Sequence, residues 1–277
     1  MTITCSSGCL LIIGGAEDRA PAGSGLLRAF AGLAGGTRAR IALITTASGT
    51  PADSFARYSA AFRGLGVPAV RELWVASAAE AEDDRTVAEL ARATGVFFSG
   101  GDQARLQVLL GTRAHRFLRD RLAVGHLVIA GTSAGATVMG ETMILGGSCH
   151  ADGDGAVISG LRTGPGLGLL PEVIVDMHFA ERQRLPRLLA AVLRQPSHVG
   201  LGIDEDTAVL AHPGRFEVLG RGSVTTVDAR EVLGRGSVTT VGARAAGPAG
   251  LAPAHGHRAC FDVRLHRLYA GDAFRLR

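Results

Sequence analysis

The 277-residue chain is 47% hydrophobic and 19% charged, enough apolar residue for a sizeable core and too little charge for a disordered polypeptide. Its longest apolar run, Cys9 to Ile13, is far too short to cross a bilayer, and Met1–Cys5 lacks the basic start of a secretory leader, so a cytoplasmic protein is expected. The net charge of +4 rests on arginine alone; these residues are scattered without aromatic interleaving, which argues against a nucleic-acid surface and leaves a carboxylate-bearing substrate compatible.

Apolar runs at Leu10–Ile13, Ile41–Thr45, Val70–Val75, Val96–Phe98, Leu127–Ala130 and Val173–Met177 read as strands, each closed by Gly, Ser, Asp or His. Between them, Leu26–Leu33, Ser54–Leu65, Ala78–Ala93, Gln103–Leu122 and Ala180–Arg194 carry helical periodicity. Continuous apolar strands alternating with helices predict a parallel sheet covered on both faces, an α/β three-layer sandwich. Short antiparallel strands are expected after Gly200, and the whole chain, 1–277, reads as one domain.

Late in the chain, EVLGRGSVTTVDAR at 217–230 is followed at once by EVLGRGSVTTVGAR at 231–244. One mismatch in a 14-residue period marks a tandem duplication rather than a solenoid. An even period keeps the in/out alternation of a strand pair, so the extra copy either extends a hairpin or loops out. Ala245–His257 reads as a loop. Cys5, Cys9, Cys149 and Cys260 match no zinc spacing and no disulfide scaffold; no metal or cofactor is expected.

Ligands of such sheets bind beyond the carboxyl ends of the strands. Gly14–Asp18, Ser99–Gln103, Ser133 and His178 all fall there. Gly131-Thr132-Ser133-Ala134-Gly135 follows the strand His126–Ala130 and precedes a helix-compatible run, Ala134–Met143. This is the setting a G-x-S-x-G nucleophile needs: small neighbours allow the sharp turn, and new helical amides face developing negative charge. A serine needs a base. His178 ends a strand on the same sheet edge, whereas His126 lies at the opposite end and the other histidines lie in loops, late segments or a helix.

Spacing leaves the orienting acid open among Asp204, Glu205, Asp206 and Asp176. The order Ser, His, acid differs from that of the α/β-hydrolases and points to another fold carrying a similar elbow. Ser99-Gly100-Gly101-Asp102-Gln103 opens a helix after a strand, where glycine amides can approach an oxyanion and Gln103 offers an amide. Neither this loop nor Gly14–Asp18 carries a dinucleotide or P-loop fingerprint. Arg182, Arg184 and Arg187 follow His178 closely and are either a carboxylate clamp or a solvated helix face.

Together, Gly14–Asp18, Ser99–Gln103, Gly131–Ala136, Asp176–Arg187 and Gly202–Ala208 resemble the cyanophycinases of peptidase family S51, from Leu10 to Tyr269–Phe274. That resemblance implies a class I glutamine amidotransferase-like (flavodoxin-like) fold, a homodimer, and hydrolysis of cyanophycin, a poly-aspartate bearing arginine, to β-aspartyl-arginine dipeptides. Aspartyl dipeptidases are the alternative within the family, and a non-catalytic amidotransferase-like binding module is the alternative outside it. Carried onto this chain, the resemblance makes Ser133 the nucleophile, His178 the base and Glu205 the acid, with Gly101 and Ala134 amides as the oxyanion hole. Asp102, Gln103, Asp176, Arg182, Arg184 and Arg187 become substrate contacts, Asp176 as receiver of a substrate guanidinium. Where the family has D-Q-H-F, this chain has Asp176-Met177-His178-Phe179, which removes two hydrogen-bonding groups beside the histidine.

Overall fold

The computed structural model describes residues 8–17, 25–125, 127–152, 155–229 and 263–275. Cys5, Asp18, His126, Cys260, the second repeat at 231–244 and the segment 245–257 lie outside them. Five parallel strands form the centre of the first sheet: β1 (Cys9–Ile13), β2 (Arg40–Ile44), β3 (Ala69–Leu73), β4 (Gly95–Phe98) and β5 (Val128–Thr132). Alternate residues serve two cores. Leu11, Ile13, Ile41, Leu43 and Phe97 pack with Phe30 of α1 (Gly25–Leu33) and with Tyr58 and Phe62 of α2 (Pro51–Gly64). Leu10, Ile12, Ile44, Val96 and Phe98 face the opposite side. They meet Ala81 of α3 (Ala78–Glu82), Leu90 of α4 (Asp84–Arg92) and Leu118 of α5 (Arg113–Ala123). Burial on both faces is what makes these strands uniformly apolar, and the expected α/β sandwich is this half of the molecule.

Two expected helices are interrupted, each by a local side-chain bond that competes with the helix. Asp83 adopts an extended conformation and its side chain accepts from the Arg85 amide, dividing 78–93 into α3 and α4. The run 103–122 becomes a 3-10 helix, Gln103–Leu109, and then α5, whose Thr112 cap accepts from the His115 amide. Similarly, Ala180–Arg184 is a turn with Gln183 at φ 50°, and the helix α7 starts only at Leu185 (Leu185–Arg194).

The run 134–143 departs further. Only Ala134–Thr137 is helical (α6); the chain then enters β6 (Gly140–Asp152), which pairs antiparallel with β7 (Gly155–Pro165) and parallel with β8 (Leu170–Met177). Gly140 sits so close to the Val173 carbonyl that a Cβ there would lie 2.5 Å from its oxygen, so strand pairing ends the helix. The remaining strands are β9 (Val199–Ile203), β10 (Thr207–His212), β11 (Arg215–Gly220), β12 (Ser223–Asp228), β13 (Arg264–Tyr269) and β14 (Ala273–Phe274). The first sheet runs β14-β11-β10-β1-β5-β4-β2-β3 and the second β13-β12-β9-β8-β6-β7. The second sheet shares Met143, Val173, Val175, Leu201 and Ile203 with the core behind the first, and α7 covers its far side through Leu188 and Val192.

The chain changes sheets between β9 and β10, at Asp204–Asp206, and again between β11 and β12. The first repeat is therefore not a hairpin: β11 pairs with β10, and β12 pairs with β9. Gly220 turns this corner at φ 106°, where a Cβ would stand 2.2 Å from the Asp206 carbonyl oxygen.

Candidate active site

Parallel register brings the ends of β1 and β5 abreast, Ile13 opposite Thr132, and the ends of β8 and β9 abreast, Met177 opposite Ile203. The residues that follow these four ends, Gly14, Ser133, His178 and Asp204, form one cluster: the Ser133 amide donates to the Ile13 carbonyl at 3.0 Å and the His178 amide to the Gly14 carbonyl at 2.8 Å.

Ser133 sits at φ 52°, ψ −113°, a conformation an L-residue adopts only under constraint, at a cost of about 1–3 kcal/mol. The neighbouring glycines make the turn possible. A Cβ on Gly131 would lie 2.3 Å from the Gly135 carbonyl oxygen, and one on Gly135 would lie 2.4 Å from that of Phe98. The sharp turn leaves the hydroxyl half-buried at the end of the sheet. Because α6 is a single turn, its contribution to a nearby anion is that of individual amides rather than of a helix dipole. Gly100 lies against Ser133, a Cβ there falling 3.4 Å from the Ser133 Cβ, and Gly101 follows at φ 142°. Among the described residues, the Gly101 and Ala134 amides have no protein acceptor.

Ser133 Oγ is 2.9 Å from His178 Nε2, and His178 Nδ1 is 2.5 Å from Glu205 Oε1. A carboxylate only accepts, so Nδ1 carries the proton and Nε2 is free to accept from the serine hydroxyl. The geometry separates the acids that spacing leaves open. Asp204 is buried and engaged, Oδ1 accepting from the Ala180 amide at 3.1 Å and Oδ2 from the Ser223 amide and hydroxyl. Asp206 turns outward to Arg221 at 3.0 Å. Asp176 lies behind the histidine, fully buried.

The basic cluster divides as well. Arg187 is buried and holds Asp176 with two donors, Nε at 2.8 Å and Nη2 to the other oxygen, while its Nη1 donates to the Gly147 carbonyl. Arg184 Nη1 reaches Asp176 at 3.3 Å, the Met177 carbonyl at 2.5 Å and the Met177 sulfur at 2.8 Å. Asp176, expected to meet a substrate guanidinium, instead holds two guanidinium groups of its own chain and has no exposed surface to offer; it fixes the arginines in place. The Met177 sulfur meets Arg184 as a weak acceptor. Burial pushes the Arg184 guanidinium down to about 10, with Asp176 opposing the shift and Arg187 and Arg182 adding to it. Arg182 is exposed, one turn beyond His178, whose carbonyl accepts its amide. Asp102 caps the 3-10 helix by accepting from the Ala104 amide, and Gln103 Nε2 donates to the Ile144 carbonyl at 2.6 Å. Asp102 is thus committed to its own loop, and Gln103 is tied to β6. Among the described residues no group of three or more His, Cys, Asp or Glu is arranged to hold a metal ion.

The family model described as peptidase family S51 matches residues 10–219. The chain belongs to peptidase family S51. Similar S51 relatives include the cyanophycinase of a Nostoc species, 43% identical over 96% of this chain and 85% of that one. The cyanophycinase of Geminocystis herdmanii is 39% identical over 96% and 92% of the two chains. A crystal structure of a peptidase from an acI-B1 actinobacterium shares the fold, with a TM-score of 0.66 at 21% identity over 98% and 97% of the two chains. Like those relatives, this protein is a peptidase, a hydrolase, and no helix among its described residues is long and apolar enough to cross a membrane.

Three contacts around His178 and Glu205 are not told by the sequence, although Gly15 lies within the Gly14–Asp18 motif. Gly15, at φ 108°, lies under the histidine: a Cβ would fall 2.3 Å from His178 Cε1, so only glycine leaves room for the ring. The Gly15 carbonyl accepts from the Asp206 amide at 2.9 Å, which ties the same turn to the loop bearing Glu205. Thr207 and Ser223 brace that loop from the repeat side, Thr207 Oγ1 accepting from the Gly222 amide at 2.8 Å. The signal in the sequence is the doubled glycine ending β1, which reads as a turn but does not say what packs on it.

Proposed function

We propose that the protein is a serine-type exopeptidase that hydrolyses cyanophycin to β-aspartyl-arginine dipeptides through an acyl-enzyme. The observation that carries this reading is the continuous Ser133–His178–Glu205 relay on a strained elbow, in a chain 43% identical to a cyanophycinase. His178, oriented by Glu205, takes the Ser133 proton as Oγ attacks an aspartyl peptide carbonyl. The carbonyl oxygen becomes an oxyanion facing the Gly101 and Ala134 amides, the groups without a protein acceptor. Collapse expels the leaving amine with the proton from His178; water activated by the same imidazole then releases the acyl group and restores Ser133. Exposed Arg182, with Arg184, supplies positive charge for the substrate's free carboxylates, those of its arginine units and its chain end; both Arg184 and Arg187 are anchored by Asp176, and Arg187, bound through two donors, is buried. None of these steps calls for a cofactor. The same reading makes residues 1–277 one hydrolase unit, homodimeric and cytoplasmic, which light scattering and cell fractionation check.

Incubation with cyanophycin granules and, separately, with β-aspartyl dipeptides tests the assignment. Release of dipeptides from granules, lost in Ser133→Ala with the fold retained, is the expected result. Cleavage of dipeptides alone reassigns the protein as an aspartyl dipeptidase. Full activity in Ser133→Ala, or no labelling of Ser133 by a serine-reactive phosphonate, overturns the catalytic reading.

A further inference from the structure

Behind the nucleophile lies a carboxylate that the relay does not use. Glu17 follows the Gly14-Gly15 turn and is only 3% exposed. Its Oε2 accepts from the Thr132 hydroxyl at 2.6 Å and its Oε1 from the Tyr58 hydroxyl at 2.5 Å. Burying a carboxyl group costs several kcal/mol unless hydrogen bonds compensate. The fold of a parallel sheet does not ask for one here, where an apolar residue would fill the space at less cost. The three residues come from the loop after β1, the last position of β5 and the middle of α2, and they meet beneath the elbow. Tyr58 is itself immobilised, its ring 5.0 Å from that of Phe97 and 6.4 Å from that of Phe62, centre to centre. A rigid path therefore runs from the aromatic core through Tyr58 and Glu17 to Thr132, the residue bonded to the strained Ser133. The same loop carries Gly14 and Gly15, which contact His178 and the Glu205 loop.

We propose that Glu17 is a positioning residue of the hydrolase: through Thr132 it fixes the elbow, and through its own loop it keeps nucleophile and base in register. The proposal rests on Ser133 being the nucleophile. The strained conformation of Ser133 persists only where the surroundings over-determine it, and the Glu17–Thr132 bond is a buried, charge-assisted constraint one residue away. Loss of that bond is expected to lower kcat and the rate of Ser133 labelling by a fluorophosphonate about ten- to a hundredfold, with KM unchanged, the span expected for one hydrogen bond to a charged group felt in the transition state.

The experiment compares wild type, Ser133→Ala, Glu17→Gln, Thr132→Val, Thr132→Ser and the Glu17→Gln/Thr132→Val double variant, each by labelling rate, kcat, KM and thermal melt. Thr132→Val removes the hydroxyl at constant shape and should slow labelling, Thr132→Ser should restore it, and the double variant should be no slower than the slower single variant. If Glu17→Gln does not fold, the Thr132 pair decides the matter alone. Folded Thr132→Val that labels at the wild-type rate, or loses KM rather than kcat, overturns the proposal while leaving the hydrolase reading intact. A wild type that does not label at Ser133 overturns both.

Discussion

Gly15→Ala probes how tightly His178, the proposed base, is seated. The new Cβ would stand 2.3 Å from His178 Cε1 and 2.6 Å from Nε2, where ordinary contact begins near 3.4 Å, so the ring must retreat by about 1 Å. It has nowhere to go without loss, because Nε2 is 2.9 Å from Ser133 and Nδ1 is 2.5 Å from Glu205. A misplacement of about 1 Å in a catalytic group costs on the order of a hundredfold in rate. Alanine at φ 108° adds backbone strain of about 1–3 kcal/mol, which lowers the melting temperature by several degrees. Gly66→Ala separates the two effects: it imposes positive-φ strain, at 85°, where the nearest atom is 3.9 Å away and no catalytic group is near. Steady-state hydrolysis and thermal melts of both variants are the assay. Gly15→Ala should lose kcat about a hundredfold, whereas Gly66→Ala should lose stability alone. A Gly15→Ala enzyme within twofold of wild-type kcat refutes the reasoning.

Asp176→Asn removes the anion between two guanidinium groups, and breaking a buried pair from one side costs about 3–5 kcal/mol; a melting-temperature drop of roughly 10 °C is expected, and an unchanged melt contradicts the buried role given to this residue. Arg184 keeps its charge below pH 10 and loses it as pH rises through about 10, so KM for an anionic substrate should climb there while staying level from pH 7 to 9; a KM that begins to rise near pH 8 points to another group. Deleting 217–230 or 231–244 yields two chains that differ at one position, glycine or aspartate at the site of Asp228. Both should fold on the β11–β12 template and agree in rate within about twofold, as ordinary surface differences do; an inactive pair shows that the added copy is required.

The parallel strands were legible because burial on both faces leaves continuous apolar runs, as in Leu10–Ile13 and Val96–Phe98. The β6–β7 pair was not. Its sequence is rich in glycine and lacks alternation, and its hydrogen bonds are between backbones, with register shifts at Gly146. The Gly131–Gly135 elbow was legible because its glycines are required by backbone contacts within the turn itself. Among Asp204, Glu205 and Asp206, by contrast, adjacent residues point in three directions, and no spacing rule distinguishes them; only the passage between sheets turns Glu205 toward His178. Asp176 was misread for a related reason: its partner Arg187 is eleven residues away across a turn whose shape, with Gln183 at φ 50°, the periodicity did not foretell.

The two sheets supply different parts of the proposed relay. Ser133 follows β5 in the eight-stranded sheet, whereas His178 and Glu205 follow β8 and β9 in the six-stranded one. On the proposed mechanism, hydrolysis is a vernier on the seam between two sheets that each hold together through their own backbone ladders. A slip of about 1 Å along that seam separates oxygen from imidazole while leaving every ladder intact. The enzyme should therefore fall silent on warming before its backbone begins to melt.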